Sequence, residues 1–107
     1  MPSTLCVLLW AHSGAEAALA SYEDTVLRLV PDHGGRVVLR ARGSQALPGR
    51  GAGTGGQPAE IQVIEFPSAT ALDAYMADPR RTALAADRDR AVARTEVIDV
   101  ELVPLLA

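Results

Sequence analysis

Residues Thr4 to His12 (TLCVLLWAH) constrain this fold most, because the segment is strand-like and apolar on both faces. A strand that reads this way is covered on both sides in the folded protein. The chain has 107 residues, the size of one domain. The rest of the pattern decides what supplies the two covers.

Ser13-Gly14-Ala15-Glu16 fits a capping box, with Ser13 as N-cap and Glu16 reaching back to it. The helix behind it carries Leu19, Tyr22, Val26, Leu29 and Val30 on one stripe, with Glu16, Glu23 and Asp24 mainly elsewhere. Pro31 and Gly34-Gly35 end it. Arg36 to Arg42 (RVVLRAR) alternates as a second strand, with Val37, Leu39 and Ala41 on one face and Arg36, Val38, Arg40 and Arg42 on the other. Gly43 to Pro58, with six glycines and two prolines, predicts a long flexible loop. Glu60 to Phe66 (EIQVIEF) is the third strand. Pro67-Ser68 opens a second helix containing Leu72, Tyr75 and Met76, which Asp78-Pro79 interrupts. Asp78 suits an N-cap and Pro79 the first helical position of a further short helix reaching about Val92. Glu96 to Val103 (EVIDVELV) is the last strand, stopped by Pro104.

The order βαββαβ predicts an α+β, ferredoxin-like domain over residues 1–107, a four-stranded antiparallel sheet with two helices on one face. The other face would carry Leu8, Trp10, Val38 and Ile64 or Phe66, too apolar to stand in water. A homodimer packing sheet against sheet, a dimeric α/β-barrel, covers it. On this reading Arg36, Val38, Arg42 and Phe66 lie at the dimer interface. The strand-two arginines, facing Glu60, Gln62, Asp99 and Glu101, form ion pairs between protomers or line a polar cavity.

Composition removes several chemistries. All ten basic residues are arginine, and without lysine there is no P-loop cation, Schiff-base amine or pyridoxal phosphate anchor. A net charge of −3 and a pI near 5.2 give no uniform attraction to nucleic acid or an anionic membrane surface. The single cysteine, Cys6, forms neither an internal disulfide nor a CxxC metal site, and reads as a buried, inert thiol. The longest apolar run, Leu5 to Ala11, is too short to span a bilayer, and Met1-Pro2-Ser3-Thr4 lacks the basic start of a signal peptide. The expectation is a cytoplasmic protein.

Two motifs fail on context. Gly51-Ala52-Gly53-Thr54-Gly55-Gly56 satisfies GxGxxG, but Gln57-Pro58 and a strand follow it where dinucleotide binding needs a helix N-terminus, so no cofactor is expected. None of the five serines sits in a GxSxG elbow. His12 and His33 fall at opposite ends of the sheet, so no metal site is expected from them.

Asp32-His33-Gly34-Gly35-Arg36, Val63-Ile64-Glu65-Phe66-Pro67-Ser68, and Asp78-Pro79-Arg80-Arg81 followed by Ala83-Leu84 and Arg88 resemble the dimeric α/β-barrel family of small bacterial proteins grouped as domain-of-unknown-function family thirteen-thirty. The likeness spans roughly Leu5 to Val103. More distantly the chain is similar to cofactor-independent monooxygenases of antibiotic biosynthesis and to muconolactone-isomerase-like proteins. The resemblance implies the fold and the dimer more than a reaction. The chain departs from the family in its longer, glycine-rich loop, and in Arg81, which stands where the family often has tyrosine.

The topology brings Trp10, His12, the Gly43–Pro58 loop and the stretch Arg88 to Arg94 to one end of the sheet, with the loop a candidate lid. A ligand pocket is expected there from Trp10, Arg40, Gln62 and Arg88, with His12 as catalytic acid/base, since imidazole titrates near neutrality and arginine binds carboxylate or enolate oxygens. The expected function is binding of a small aromatic or anionic molecule, with cofactor-independent proton transfer or oxygenation as the chemistry. The competing class is a non-catalytic homodimeric ligand-binding or interaction module. An enclosed cavity reaching Trp10 and His12 separates the two.

Overall fold

The computed structural model describes residues 1–43 and 56–106. Most of the Gly43–Pro58 loop, including the candidate lid and most of the glycine motif, lies outside the described residues. The elements are β1 (Ser3–Ala11), α1 (Glu16–Leu27), a 3₁₀ turn at Pro31–His33, β2 (Arg36–Arg42), β3 (Glu60–Phe66), α2 (Ala69–Met76), α3 (Pro79–Thr82), α4 (Ala85–Ala91) and β4 (Val92–Asp99). All neighbouring strands are antiparallel in the order β2-β3-β1-β4. This is the expected ferredoxin-like sheet, with the helices on one side of it and the opposite side open.

Side-chain capping accounts for the starts of α2 and α3, but not of α1 and α4. Ser68 caps α2 by accepting from the Ala71 N–H at 3.1 Å, and Asp78 caps α3 by accepting from the Arg80 N–H at 2.9 Å. Ser13 does not cap α1. Gly14 takes φ +77° and the Ala15 N–H donates to the His12 carbonyl at 2.9 Å, so a turn closes first and α1 starts at Glu16 without a side-chain cap. The Gly34-Gly35 pair has two distinct reasons. Gly34 takes φ +75°, and a Cβ on Gly35 would stand 2.8 Å from Val30 and 2.9 Å from the Glu65 carbonyl.

The expected single helix after Asp78 is two short helices, α3 and α4, broken at Ala83-Leu84. The last strand is Val92–Asp99, not Glu96–Val103. Helix α4 ends at Ala91, and the next residue, Val92, already pairs with Ala11. Pairing with β1 therefore captures the chain earlier than the local apolar pattern suggests, and Val103, Leu105 and Leu106 stand exposed beyond the strand.

The largest correction concerns strand faces. Val37 pairs with Ile64 and Leu39 with Val63, so Val38 is an extra residue in β2 and every side chain after it changes face. Arg36 remains on the open face, ion-paired with Glu65 at 2.7 Å. Arg40 and Arg42, opposite Gln62 and Glu60, turn to the helix side, while Leu39 and Ala41 turn away from it. Phe66 likewise belongs to the core and not to the open face. It is 2% exposed and packs with Val30, Ile64 and Tyr75.

The core falls into two clusters, one around Leu9, Leu19, Tyr22, Val26 and Val92, the other around Leu27, Val30, Ile64, Phe66 and Tyr75, with Val7 packed against both. Between them the helices do not fill the sheet.

Candidate functional site

The unfilled space is a cavity of about 430 Å³ between the helix side of the sheet and all four helices. That is within the range of small-molecule sites. Its walls are mainly apolar, with Leu5 and Val7 from β1, Ile64 and Phe66 from β3, and Val26 from α1. Met76 and Val97, both about half exposed, lie at its mouth.

Seven polar side chains line this space: Glu23, Gln62, Asp73, Tyr75, Arg81, Arg88 and Thr95. Glu23 and Gln62 are 6% and 1% exposed. Gln62 Nε2 donates to Glu23 Oε1 at 2.7 Å and to Glu60 Oε2 at 2.6 Å. The two carboxyls differ in compensation. Glu60, fully buried, receives Arg40 Nε at 2.7 Å and Nη2 at 3.2 Å, a forked pair that suits a buried carboxylate. Among the described residues Glu23 makes no ion pair, and burial pushes its carboxyl above the ordinary carboxylate range while the Gln62 hydrogen bond works against that rise.

The cations are placed by α3 and α4. Arg81 lies against Tyr75, its guanidinium carbon 5.2 Å from the ring centroid. Its Nη1 reaches the Met76 carbonyl at only 3.5 Å, and its buried Nε finds no acceptor among the described residues. A buried guanidinium N–H left unmatched costs free energy, so this atom favours an incoming acceptor. Arg88 donates from Nη2 to Thr95 Oγ1 at 3.1 Å. Tyr75 donates to the Val26 carbonyl at 3.2 Å, and burial pushes its hydroxyl up, so it serves as a neutral wall.

Of the residues expected from sequence, Gln62 and Arg88 line this cavity and Trp10, Arg40 and His12 do not. Trp10 lies on the open side of the sheet opposite Arg94, whose guanidinium carbon is 3.8 Å from the ring centroid, and its indole N–H donates to the Gly56 carbonyl at 3.2 Å. His12 is exposed and its Nε2–H donates to the Asp89 carbonyl at 3.1 Å. These residues do gather at one sheet end, as the topology requires; the cavity does not reach them, and Trp10 instead borders a separate, smaller pocket of about 270 Å³ with Glu16, Gln57 and Pro58. Arg40 is held behind the cavity by Glu60 and by Asp24 at 2.5 Å. Among the described residues no group of His, Cys, Asp and Glu is arranged to hold a metal ion, and no helix is long and apolar enough to cross a membrane.

Sequence reasoning missed Glu23, Tyr75 and Arg81 as site residues. For Glu23 a signal was present, since it lies four residues after Leu19 and four before Leu27, on the buried side of α1.

The model of a family described as "domain of unknown function (DUF1330)" matches residues 7–103. No curated protein matches the chain significantly. Among solved structures, the chain is similar to a protein of unknown function from Rhodopseudomonas palustris, at 22% identity and a TM-score of 0.76 over 96% of this chain and 84% of that one. It is also similar to a dimeric ferredoxin-like protein of unknown function from Bacteroides fragilis (13% identity, TM-score 0.64, 94% and 96% covered). A third is a dimeric ferredoxin-like protein of unknown function from Jannaschia sp. CCS1 (17% identity, TM-score 0.67, 95% and 100% covered). At these identities the likeness carries the fold.

Proposed function

This chain belongs to the DUF1330 family of domains of unknown function, and from that premise we propose that it binds a small amphipathic carboxylate in the cavity beneath its helices, as one half of a homodimer. The observation that carries the binding reading is the pairing of apolar walls with Arg81, whose buried Nε lacks an acceptor among the described residues. An aromatic or branched body would lie against Leu5, Val7, Ile64 and Phe66, and its carboxylate would supply the acceptor Arg81 lacks. Gln62 and Arg88, expected from sequence as ligand contacts, stay in this reading. Trp10, Arg40 and His12 leave it.

The dimer rests on the open face. Leu39, Val63, Cys6 and Ile98 are consecutive partners across all four strands and make one apolar row there, with Leu39 and Ile98 about half exposed in the single chain. Two solved relatives of the same fold are described as dimeric.

Phenylacetate and its neutral isostere phenylacetamide test the binding site by calorimetry. The acid should bind and the amide should bind at least about tenfold more weakly, with Arg81→Gln removing the difference. Equal affinity for acid and amide in the wild type would sink the carboxylate reading.

A further inference from the structure

We infer that Glu23 is a proton-transferring catalytic residue, and that the molecule taken by the cavity is a carbon acid, an enolisable 2-oxo carboxylate with an apolar side chain. This rests on the binding reading above and extends it from a ligand to a reaction.

The argument begins with where Glu23 stands. It projects from the middle of α1 into the cavity, 6% exposed, among side chains that are mainly apolar. A carboxyl in such a place needs a reason, because burying one without a cation costs stability. Glu60, on the same amide, has its cation in Arg40. Glu23 has only the Gln62 N–H among the described residues, and that bond goes to Oε1, leaving Oε2 with no hydrogen-bond partner among them. Gln62 is itself fixed by Glu60, so the contacted oxygen is held on a rigid strand while the other is available to a ligand.

The charged groups that act on Glu23 come from three elements packed around it. Glu60 from β3 opposes its ionisation, Arg40 from β2 and Arg81 from α3 favour it, and burial outweighs them, so the carboxyl titrates above its ordinary range. That moves a carboxyl toward the operating range of a general acid/base.

The two arginines supply the remaining parts. A substrate carboxylate on Arg81 Nε fixes one end of the molecule, and Arg88, lining the same cavity, offers guanidinium hydrogens beyond its Thr95 bond to a carbonyl oxygen on which charge develops. In the step, ionised Glu23 takes the proton from the carbon next to the carbonyl. The C–H electron pair becomes the new C=C bond, the carbonyl π pair moves onto oxygen, and Arg88 stabilises the enolate. Protonated Glu23 then returns the proton to that oxygen, giving the enol, or to the carbon, restoring the ketone. Nothing is oxidised or reduced, and no co-reactant is consumed.

Phenylpyruvate in D₂O is the probe, with loss of its methylene proton signal followed by NMR and its binding by calorimetry, beside phenylacetate as a ligand without the ketone. The wild-type protein should accelerate exchange on the order of 100-fold over buffer. Glu23→Gln, which keeps the hydrogen bond from Gln62, should bind phenylpyruvate within about threefold of wild type and exchange at the buffer rate, and Glu23→Asp should retain part of the acceleration. Wild-type exchange should rise with pH as Glu23 ionises. If phenylpyruvate and phenylacetate both bind and exchange stays at the buffer rate, or if Glu23→Gln exchanges like wild type, the inference fails and the binding site stands. If neither acid binds, both fall.

Discussion

Gln62 on β3 and Glu23 on α1 meet at 2.7 Å beneath the helices, and the same amide holds Glu60 at 2.6 Å. One buried side chain thus joins two carboxyls of opposite character. Glu60 is neutralised by a forked arginine and closes the floor of the fold, whereas Glu23 has no cation partner among the described residues and faces the cavity.

The unmatched carboxyl makes stability depend on pH in a defined direction. Glu23 has a higher pKa folded than its ordinary value of 4.5. Its contribution to stability is therefore complete below that ordinary value and is lost as pH rises through the elevated one. Glu23→Gln keeps the hydrogen bond and removes the charge. Its melting temperature should exceed that of wild type by a few degrees near pH 8, and the gap should close near pH 4. A gap that is the same at both pH values would place the effect outside ionisation.

The neighbouring carboxyl should respond in the opposite sense to loss of its partner. Arg40→Met strips the fork from a fully buried Glu60. Arg40 is itself a quarter exposed, so about 3 kcal/mol, the low end for breaking a buried pair, is the expected loss in urea unfolding. Arg42 approaches Glu60 only to 3.6 Å and is more than half exposed, so Arg42→Ala should cost less than about 0.5 kcal/mol. Similar losses from both would show that β2 carries its charge as a diffuse surface patch.

These two carboxyls also mark where the sequence ceases to be legible. Glu60–Phe66 was readable to the residue because strand periodicity is local, and the Asp78 cap because capping needs only a side chain and the next turn. The bulge at Val38 has no such signature in RVVLRAR. It is created by pairing with β3, and once missed it sends Arg40 and Arg42 to the wrong side of the sheet. The assignment of Phe66 to the open face failed for a related reason, since a strand apolar on both sides does not say which side the helices take. Glu23 had the right spacing for the core, yet its charge argued for solvent, and only the cavity beside it reconciles the two. A void is what packing leaves over, so it is written in no single segment.

Asp78 links that cavity to the turn before β2. Its Oδ1 accepts from the Arg80 backbone and Nε, and its Oδ2 from Arg80 Nη2 and His33 Nε2, both at 2.8 Å, while Arg80 also reaches Asp32 at 2.9 Å. Arg80, and after it His33, hold the Asp78 carboxyl well below the usual carboxylate range. The stability this gives is present above the unfolded value and is lost as pH falls through the folded one. Asp78→Asn should lower the melting temperature by several degrees near neutral pH and progressively less in acid. Because Arg81 follows directly on the clasp, the variant should also weaken phenylacetate binding. A pH-independent difference would assign Asp78 to helix capping alone.

The open face gives a prediction that separates assembly from folding. Leu39 and Ile98, at the two ends of the apolar row, are 46% and 50% exposed in the single chain. A glutamate at either position would meet water in a monomer and cost little there, whereas in a sheet-to-sheet dimer two such carboxylates would be buried without partners. Leu39→Glu together with Ile98→Glu should therefore shift sedimentation from dimer to monomer at micromolar concentration, with the far-ultraviolet circular dichroism of the native sheet retained. The cavity lies on the other side of the sheet, so the monomer should keep its affinity for phenylacetate if each site is built by one chain. A double variant that sediments as a dimer would remove this face as the interface, and a wild-type monomer would remove the barrel altogether.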